Sequence, residues 1–168
     1  DTLETDDSID GGDGTDTVTV LGDGVTSAAD GDITVSNVEN LEIDSDTNAD
    51  NLDFDVFSDA STFDRVIVTS TANADQVTLT DVQSSAYTIR NPSPGNVADD
   101  LAAVTIDLKT STGSSTAISV DLANRQLGTA GNQEAFTLGT LTAAGVETLT
   151  INTSNVSSAG TAEDITIT

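Results

Sequence analysis

Gly11-Gly-Asp-Gly-Thr-Asp-Thr-Val-Thr19 carries the pattern G-G-x-G-x-D-x-U-x at every fixed position: Gly11, Gly12, Gly14, Asp16 and Val18. Each position has a mechanical task. The glycines let the backbone turn tightly, with positive φ where needed, so that carbonyl oxygens face inward. Asp16 adds a carboxylate, and Ca²⁺ takes six to eight hard oxygen ligands of this kind. Val18 then starts a strand with its side chain toward a core. The preceding nine residues keep the register in degraded form, with Asp7 at the Asp position and Ile9 at the apolar one. Such a repeat completes a metal site only when turns stack, because neighbouring turns share the ligands.

Working outward, strand patterning dominates. Apolar pairs two residues apart recur at Val18/Val20, Ile33/Val35, Leu41/Ile43, Leu52/Phe54, Val66/Val68, Val77/Leu79, Tyr87/Ile89, Ile118/Val120, Phe136/Leu138, Leu149/Ile151 and Ile165/Ile167, with Val104/Ile106/Leu108 continuing the pattern. Period-two alternation in Thr-rich, β-branched segments predicts strands with one buried face. Gly, Asp, Asn and Ser separate them. Helical periodicity is lacking, and Val97–Ala103 predicts one turn at most.

Two internal repeats organise these strands. Asn48-Ala-Asp-Asn-Leu-Asp-Phe54 returns as Asn73-Ala-Asp-Gln-Val-Thr-Leu79, and Ala49, Ala74, Ala98 and Ala123 are spaced 25, 24 and 25 residues apart. Equal spacing of turn and strand is what a solenoid produces. The expected fold is all-β: a right-handed parallel β-solenoid, β-roll-like, with calcium-binding turns and about six or seven turns of roughly 25 residues. Leu52, Val77 and Leu101 are expected to stack in one interior column. A longer repeat relates residues 33–54 to 141–167, where Val38-Glu-Asn-Leu-Glu-Ile43 returns as Val146-Glu-Thr-Leu-Thr-Ile151. Glu39 and Glu147 occupy matching places, bonding backbone donors of a neighbouring turn or facing water. Asn91-Pro-Ser-Pro-Gly95 holds both prolines and marks a break within residues 1–168, read as one segment of a longer protein cut at both ends. The alternative fold is a tandem pair of Ig-like β-sandwiches.

Asp44, Asp46, Asn48 and Asp50 alternate like the start of an EF-hand loop, but Ala49 replaces its glycine and Asp55 its bidentate Glu, with no flanking helices. The reading is a calcium-binding turn or a solvated acidic one. The candidate ligands are therefore Asp7, Asp10, Gly11, Gly12, Asp13, Gly14 and Asp16, with Asp23 of the Gly22-Asp-Gly24 turn, and Asp44, Asp46, Asn48 and Asp50.

Charge excludes several function classes. The 29 acidic residues face four basic ones, for a net charge of −25. Phosphate contact needs Lys and Arg, so nucleic acid is excluded. No apolar run approaches the ~20 residues that span a bilayer, so membrane insertion is not expected. Of the acidic residues, 19 lie within residues 1–64 and six follow residue 100, a clustering that favours discrete cation sites. With no His or Cys, one Tyr and one Lys, an enzyme is not expected. Disulfides are absent, so a metal is the expected staple. Asn152-Thr-Ser and Asn155-Val-Ser match the N-glycosylation sequon.

The nonapeptide resembles the RTX family of calcium-binding β-roll proteins, exported by type I secretion. The Val-Glu-x-Leu-x-Ile and Ala-Asp elements, with the Thr-rich, Cys-free composition, resemble repeats of bacterial S-layer proteins of the Caulobacter kind. The resemblance implies a secreted, cell-surface structural protein whose folding and lattice assembly need calcium. It assigns Asp16 as a side-chain ligand, Gly12 and Gly14 as carbonyl donors, and Asp7 to the preceding turn. Self-association into a lattice or filament is implied, with cell-surface glycan contacts left to other domains. Val20–Ala28 does not continue the nonapeptide, so no long β-roll is expected. The alternative function is a calcium-binding module of a secreted adhesin or polysaccharide-modifying protein.

Overall fold

A computed structural model of the chain describes residues 3–21, 29–45, 49–60, 63–70, 75–90, 101–109, 116–124, 136–155 and 165–167. The fold is nearly all-β, and every described strand pairing is parallel. The antiparallel pairing of Ig-like sandwiches is therefore ruled out. No described helix is long and apolar enough to cross a membrane.

The strands fall into three sheets. A short pair joins β1 (Ser8–Asp10) to β3 (Thr34–Ser36). The six-stranded sheet contains β2 (Thr17–Leu21), β4 (Asn40–Ser45), β6 (Arg65–Ser70), β8 (Ala86–Arg90), β10 (Ala117–Asn124) and β12 (Thr148–Asn155), in that spatial order. The five-stranded sheet orders β5 (Asp50–Asp53), β7 (Asp75–Val82), β9 (Leu101–Leu108), β11 (Phe136–Ala144) and β13 (Ile165–Ile167). From β4 onward, successive strands alternate between the two larger sheets. Each strand therefore pairs with the strand two places along the chain.

Alternation within each strand decides which side chains enter the core. In β4, Leu41, Ile43 and Ser45 are buried while Asn40, Glu42 and Asp44 are half-buried. Parallel register then aligns inward residues into columns. One runs Val18, Leu41, Val66, Tyr87, Val120, Ile151, and the next runs Val20, Ile43, Val68, Ile89, Leu122. Across the core stands Leu52, Leu79, Ile106, Ala143. Residues of both larger sheets form one continuous apolar cluster. Phe54 in the 3₁₀ turn after β5 (Phe54–Val56), Phe57 just after it, and Phe63 meet edge-on, with ring centroids 5.3–6.3 Å apart. The Tyr87 hydroxyl donates to the Ser84 carbonyl at 2.7 Å, which lets that ring lie wholly inside.

The expected single column of Leu52, Val77 and Leu101 is corrected. All three are buried in the five-stranded sheet, but in three adjacent columns: Leu52 pairs with Leu79, Val77 with Asp50 and Val104, and Leu101 with Asp75 and Leu138. The turn motif repeats every 25 residues, whereas the core steps by 27 from Asp50 to Val77 and again from Val77 to Val104. The difference arises because β7 enters the sheet two residues earlier than β5. The helical turn expected near Val97–Ala103 is also corrected over 101–103, which belong to β9. Residues 91–95 and Asn124–Arg125 side chains lie outside the described parts, and the sheets continue on both sides of 91–95.

Outward faces are tied by ion pairs that skip a strand. Arg65 on β6 reaches Asp121 on β10 at 2.9 Å and Thr88 on β8 at 2.6 Å. Arg90 on β8 reaches Glu42 on β4. The Arg65 guanidinium, then the Asn152 amide, hold the Asp121 carboxyl below the usual range. A carboxylate lowered in the fold adds stability above its unfolded pKa of about 3.9, lost as pH falls through the lower folded value. Asp121→Asn should therefore remove part of the acid-unfolding slope below about pH 4, worth about 0–1 kcal/mol as for exposed ion pairs. Urea titrations at neutral and acid pH would read it.

Core burial should dominate stability. Ile106 is fully enclosed, so Ile106→Ala is expected to cost about 2–5 kcal/mol. Leu21 is 49% exposed, and Leu21→Ala should stay within about 0.5 kcal/mol. Chemical denaturation of both variants checks the contrast.

Candidate metal centre

The nonapeptide forms the corner between β1 and β2, stacked on the corner that joins β3 to β4. Gly11 donates its N–H to Ser36 O at 3.0 Å. A Cβ there would lie 2.0 Å from Asn37 O and 2.8 Å from Asp16 Cβ, so only glycine fits. Gly12 and Gly14 take φ of 83° and 132°, which side chains rarely adopt. The loop is thus held against its neighbour by the absence of side chains.

Two acids of this corner are bound in different ways. Asp10 Oδ1 accepts from Asn37 Nδ2 at 2.8 Å and from Gly12 N at 3.1 Å. Those bonds, the Asn37 one first, lower the Asp10 pKa. Asp16 is fastened by its backbone. Its N–H donates to Glu39 Oε2 at 2.8 Å, and its carbonyl accepts from Asn40 N at 3.0 Å and Asn40 Nδ2 at 3.2 Å. The side chain is turned inward: Asp16 Oδ2 is buried and makes no hydrogen bond. It lies 3.9 Å from the point where a Cβ on Gly14 would stand. A buried carboxylate oxygen without a donor is costly unless a cation or proton meets it. The donor set, a hard oxygen within a glycine loop, fits Ca²⁺.

Glu39 and Glu147 do equivalent work. Glu147 Oε2 accepts from Thr116 N at 2.7 Å, just as Glu39 accepts from Asp16 N. The Val-Glu-x-Leu motif therefore places a carboxylate that caps the N–H entering the preceding strand of the same sheet. Of the two readings open from sequence, bonding to a neighbouring backbone donor is the one observed.

The other candidate ligands do not gather at Asp16. Asp13 is exposed in the same loop. Asp7 lies beyond β1 and closes its own turn, accepting from Glu4 N at 2.8 Å. Asp44 sits on the outer face of β4, while Asp50 is buried at the start of β5 and accepts the Ser45 hydroxyl. The change of sheet between β4 and β5 thus separates the two described acids of the 44–50 motif. Asp23, Asp46 and Asn48 lie outside the described residues.

A different acidic group does converge. Asp53, Asp55 and Asp81 bring carboxylate oxygens within 4.8 Å of one another. Asp53 follows from β5, and its Oδ1 accepts from Asp55 N at 2.9 Å. Asp81 occupies the irregularity between Leu79 and Val82, with φ of 55°. Lys109 pairs with Asp55 and offsets part of the charge. Sequence reading did not single out this trio. The signal was the 27-residue step, which sets Asp53 opposite Thr80 and so beside Asp81.

Comparison with protein-family models, with curated proteins and with solved structures returned no match.

Desolvation, then Asp55 and Asp53, push the Asp81 carboxyl pKa up. An acid raised in the fold destabilises while ionised, and the penalty disappears as falling pH protonates it. Asparagine tolerates the left-handed conformation. Asp81→Asn should therefore raise the melting temperature at neutral pH in metal-free buffer, with the gain shrinking toward acid pH. A gain equal at both pH values would show that charge is not the cause.

Proposed function

We propose that this chain is a calcium-stabilised structural segment of a secreted bacterial surface protein, of the RTX and S-layer kind. Its strands are read as the turns of a right-handed parallel β-solenoid. Supporting the coil is the regular alternation of successive strands between two parallel sheets, and parallel crossovers favour the right-handed sense. The single observation that carries the calcium reading is Asp16: the one invariant carboxylate of the nonapeptide has a buried oxygen without a donor.

The distribution of cations strengthens it. Arg65, Arg90 and Lys109 each pair with a carboxylate elsewhere, at Asp121, Glu42 and Asp55. Among the described residues no basic side chain serves the 11–16 loop. A bound calcium would supply the missing positive charge there, with Asp16 as a side-chain ligand and the loop as its frame. It would also oppose the self-repulsion of a chain at −25.

The structural role follows from the same features. Two parallel ladders of five and six strands suit an extended scaffold better than a catalyst. Type I export and assembly at the cell surface belong to this reading.

Calcium bound only by the folded state stabilises it by about 2.7 kcal/mol at 100 times the dissociation constant. Extracellular modules bind at about 0.1–1 mM, so millimolar calcium suffices. Hydrogen exchange with calcium should protect residues 8–21 and 33–45 more than residues 117–124. Asp16→Asn should abolish that difference, while Asp64→Asn, at an exposed position, should leave it intact. Equal protection with calcium and with chelator would sink the calcium reading.

A further inference from the structure

Two corners of the chain are fastened by the same clamp. Asp16 stands directly before β2, and the corner ahead of β4 holds its backbone at both ends. Its N–H donates to Glu39 Oε2 at 2.8 Å, and its carbonyl accepts from Asn40 N at 3.0 Å and Asn40 Nδ2 at 3.2 Å. Thr116 stands directly before β10 and is held alike by the corner ahead of β12. Its N–H donates to Glu147 Oε2 at 2.7 Å, and its carbonyl accepts from Glu147 N at 3.0 Å and Thr148 N at 3.1 Å. The Val-Glu-x-Leu motif supplies the clamp in both places. What it grips differs. The first grips an aspartate whose buried Oδ2 makes no hydrogen bond, the second a threonine.

The grip matters most where the held segment is loose by itself. Gly12 and Gly14 both take positive φ, and glycine has the most backbone freedom to lose on ordering. The loop is anchored at its start by the Gly11 N–H on Ser36 O at 3.0 Å, and at its end by the Asp16 N–H on Glu39. Ser36 offers a backbone carbonyl, which a side-chain substitution does not remove. Glu39 offers a carboxylate, so the second anchor depends on the identity and reach of one side chain. A charged acceptor also bonds more strongly than a neutral one. Holding the Asp16 N–H fixes the backbone from which that side chain turns inward, and so fixes where its buried oxygen stands.

We propose that Glu39 is the positioning residue of the Asp16 cation site. It places the ligand without being one, and it joins calcium binding at the first corner to the stacking of the second. The inference rests on the calcium reading and deepens it, naming a residue outside the nonapeptide on which affinity depends. Outer-shell groups that hold a ligand are worth about 10–100-fold in metal affinity. Glu147, which does the same for a threonine, serves the ladder alone.

Calcium titration of the intact chain, followed through the Gly12 and Gly14 amide signals by NMR, separates reach from charge. Glu39→Gln keeps an acceptor at the same reach and loses only the charge, so it should bind calcium within about fivefold of wild type. Glu39→Asp keeps the charge but draws the carboxylate back by one methylene, and should weaken binding by about tenfold or more. Glu147→Ala should lower the melting temperature in chelator and leave the affinity unchanged. Wild-type affinity in Glu39→Asp would overturn the proposal. A loss in Glu39→Gln as large as in Glu39→Asp would overturn it too, by showing that charge or direct ligation is the cause. So would an equal loss in Glu147→Ala, because any loosened corner would then suffice. Wild-type glycine signals that do not titrate with calcium fail the calcium reading and this inference together, whereas a titrating wild type with any of the three contrary variants fails this inference alone.

Discussion

Parallel register is the constraint on which the rest depends. In a ladder with one buried face, a slip of one residue turns every inward side chain outward. Each strand must therefore enter its sheet at a fixed position relative to its predecessor, whatever the connection does. The connections vary widely. Within the six-stranded sheet the step is 23 residues from Thr17 to Asn40 and 33 from Ala86 to Ser119. The columns stay intact across that range because the corners absorb the difference. Glycine at 11, 12 and 14 and a left-handed Asn37 are what such absorption needs locally.

This explains what could be read from sequence and what could not. The apolar pairs marked almost every strand, because alternation is written residue by residue. Only the three-residue β1 was signalled indirectly, through Ile9. Column membership was another matter. The Asn-Ala-Asp motif marks where a strand begins, and it recurs correctly: Asp50 and Asp75 both open strands and are both buried. Register is set by which side chains meet, and β7 enters the ladder two residues before β5, so that Val77 rather than Asp75 meets Asp50. No local pattern records such a shift.

The acidic sites divide in the same way. Asp16 was legible because its whole neighbourhood is local: a glycine loop, an Asp and a following strand. Its fastening through Glu39 is longer-range, yet the Val-Glu-x-Leu repeat hinted at it by recurring at Glu147. The Asp53, Asp55 and Asp81 trio was hidden, since it forms only once the 27-residue step is known. The 44–50 alternation was misleading for the opposite reason. Acids two residues apart would share one face of a single strand, but the chain changes sheet between them: Asp44 lies on the outer face of β4 and Asp50 is buried at the start of β5, so they part instead of converging.

Charge and architecture then meet at one end of the molecule. A parallel ladder places no demand on charge along its length, and the later strands carry little. The corner at 11–16 is different. Its glycines allow two corners to approach within backbone contact, and that approach carries Asp10 and Asp16 into a region with no basic side chain among the described residues. Asp10 is met by an amide and a backbone N–H; Asp16 is not. On the proposed calcium reading, the close approach that locks the first corner onto the second is also what would call for a cation in the same place. A metal at Asp16 would be a condition of the stacking itself, and removing it would loosen the ladder from the end where the first strands join.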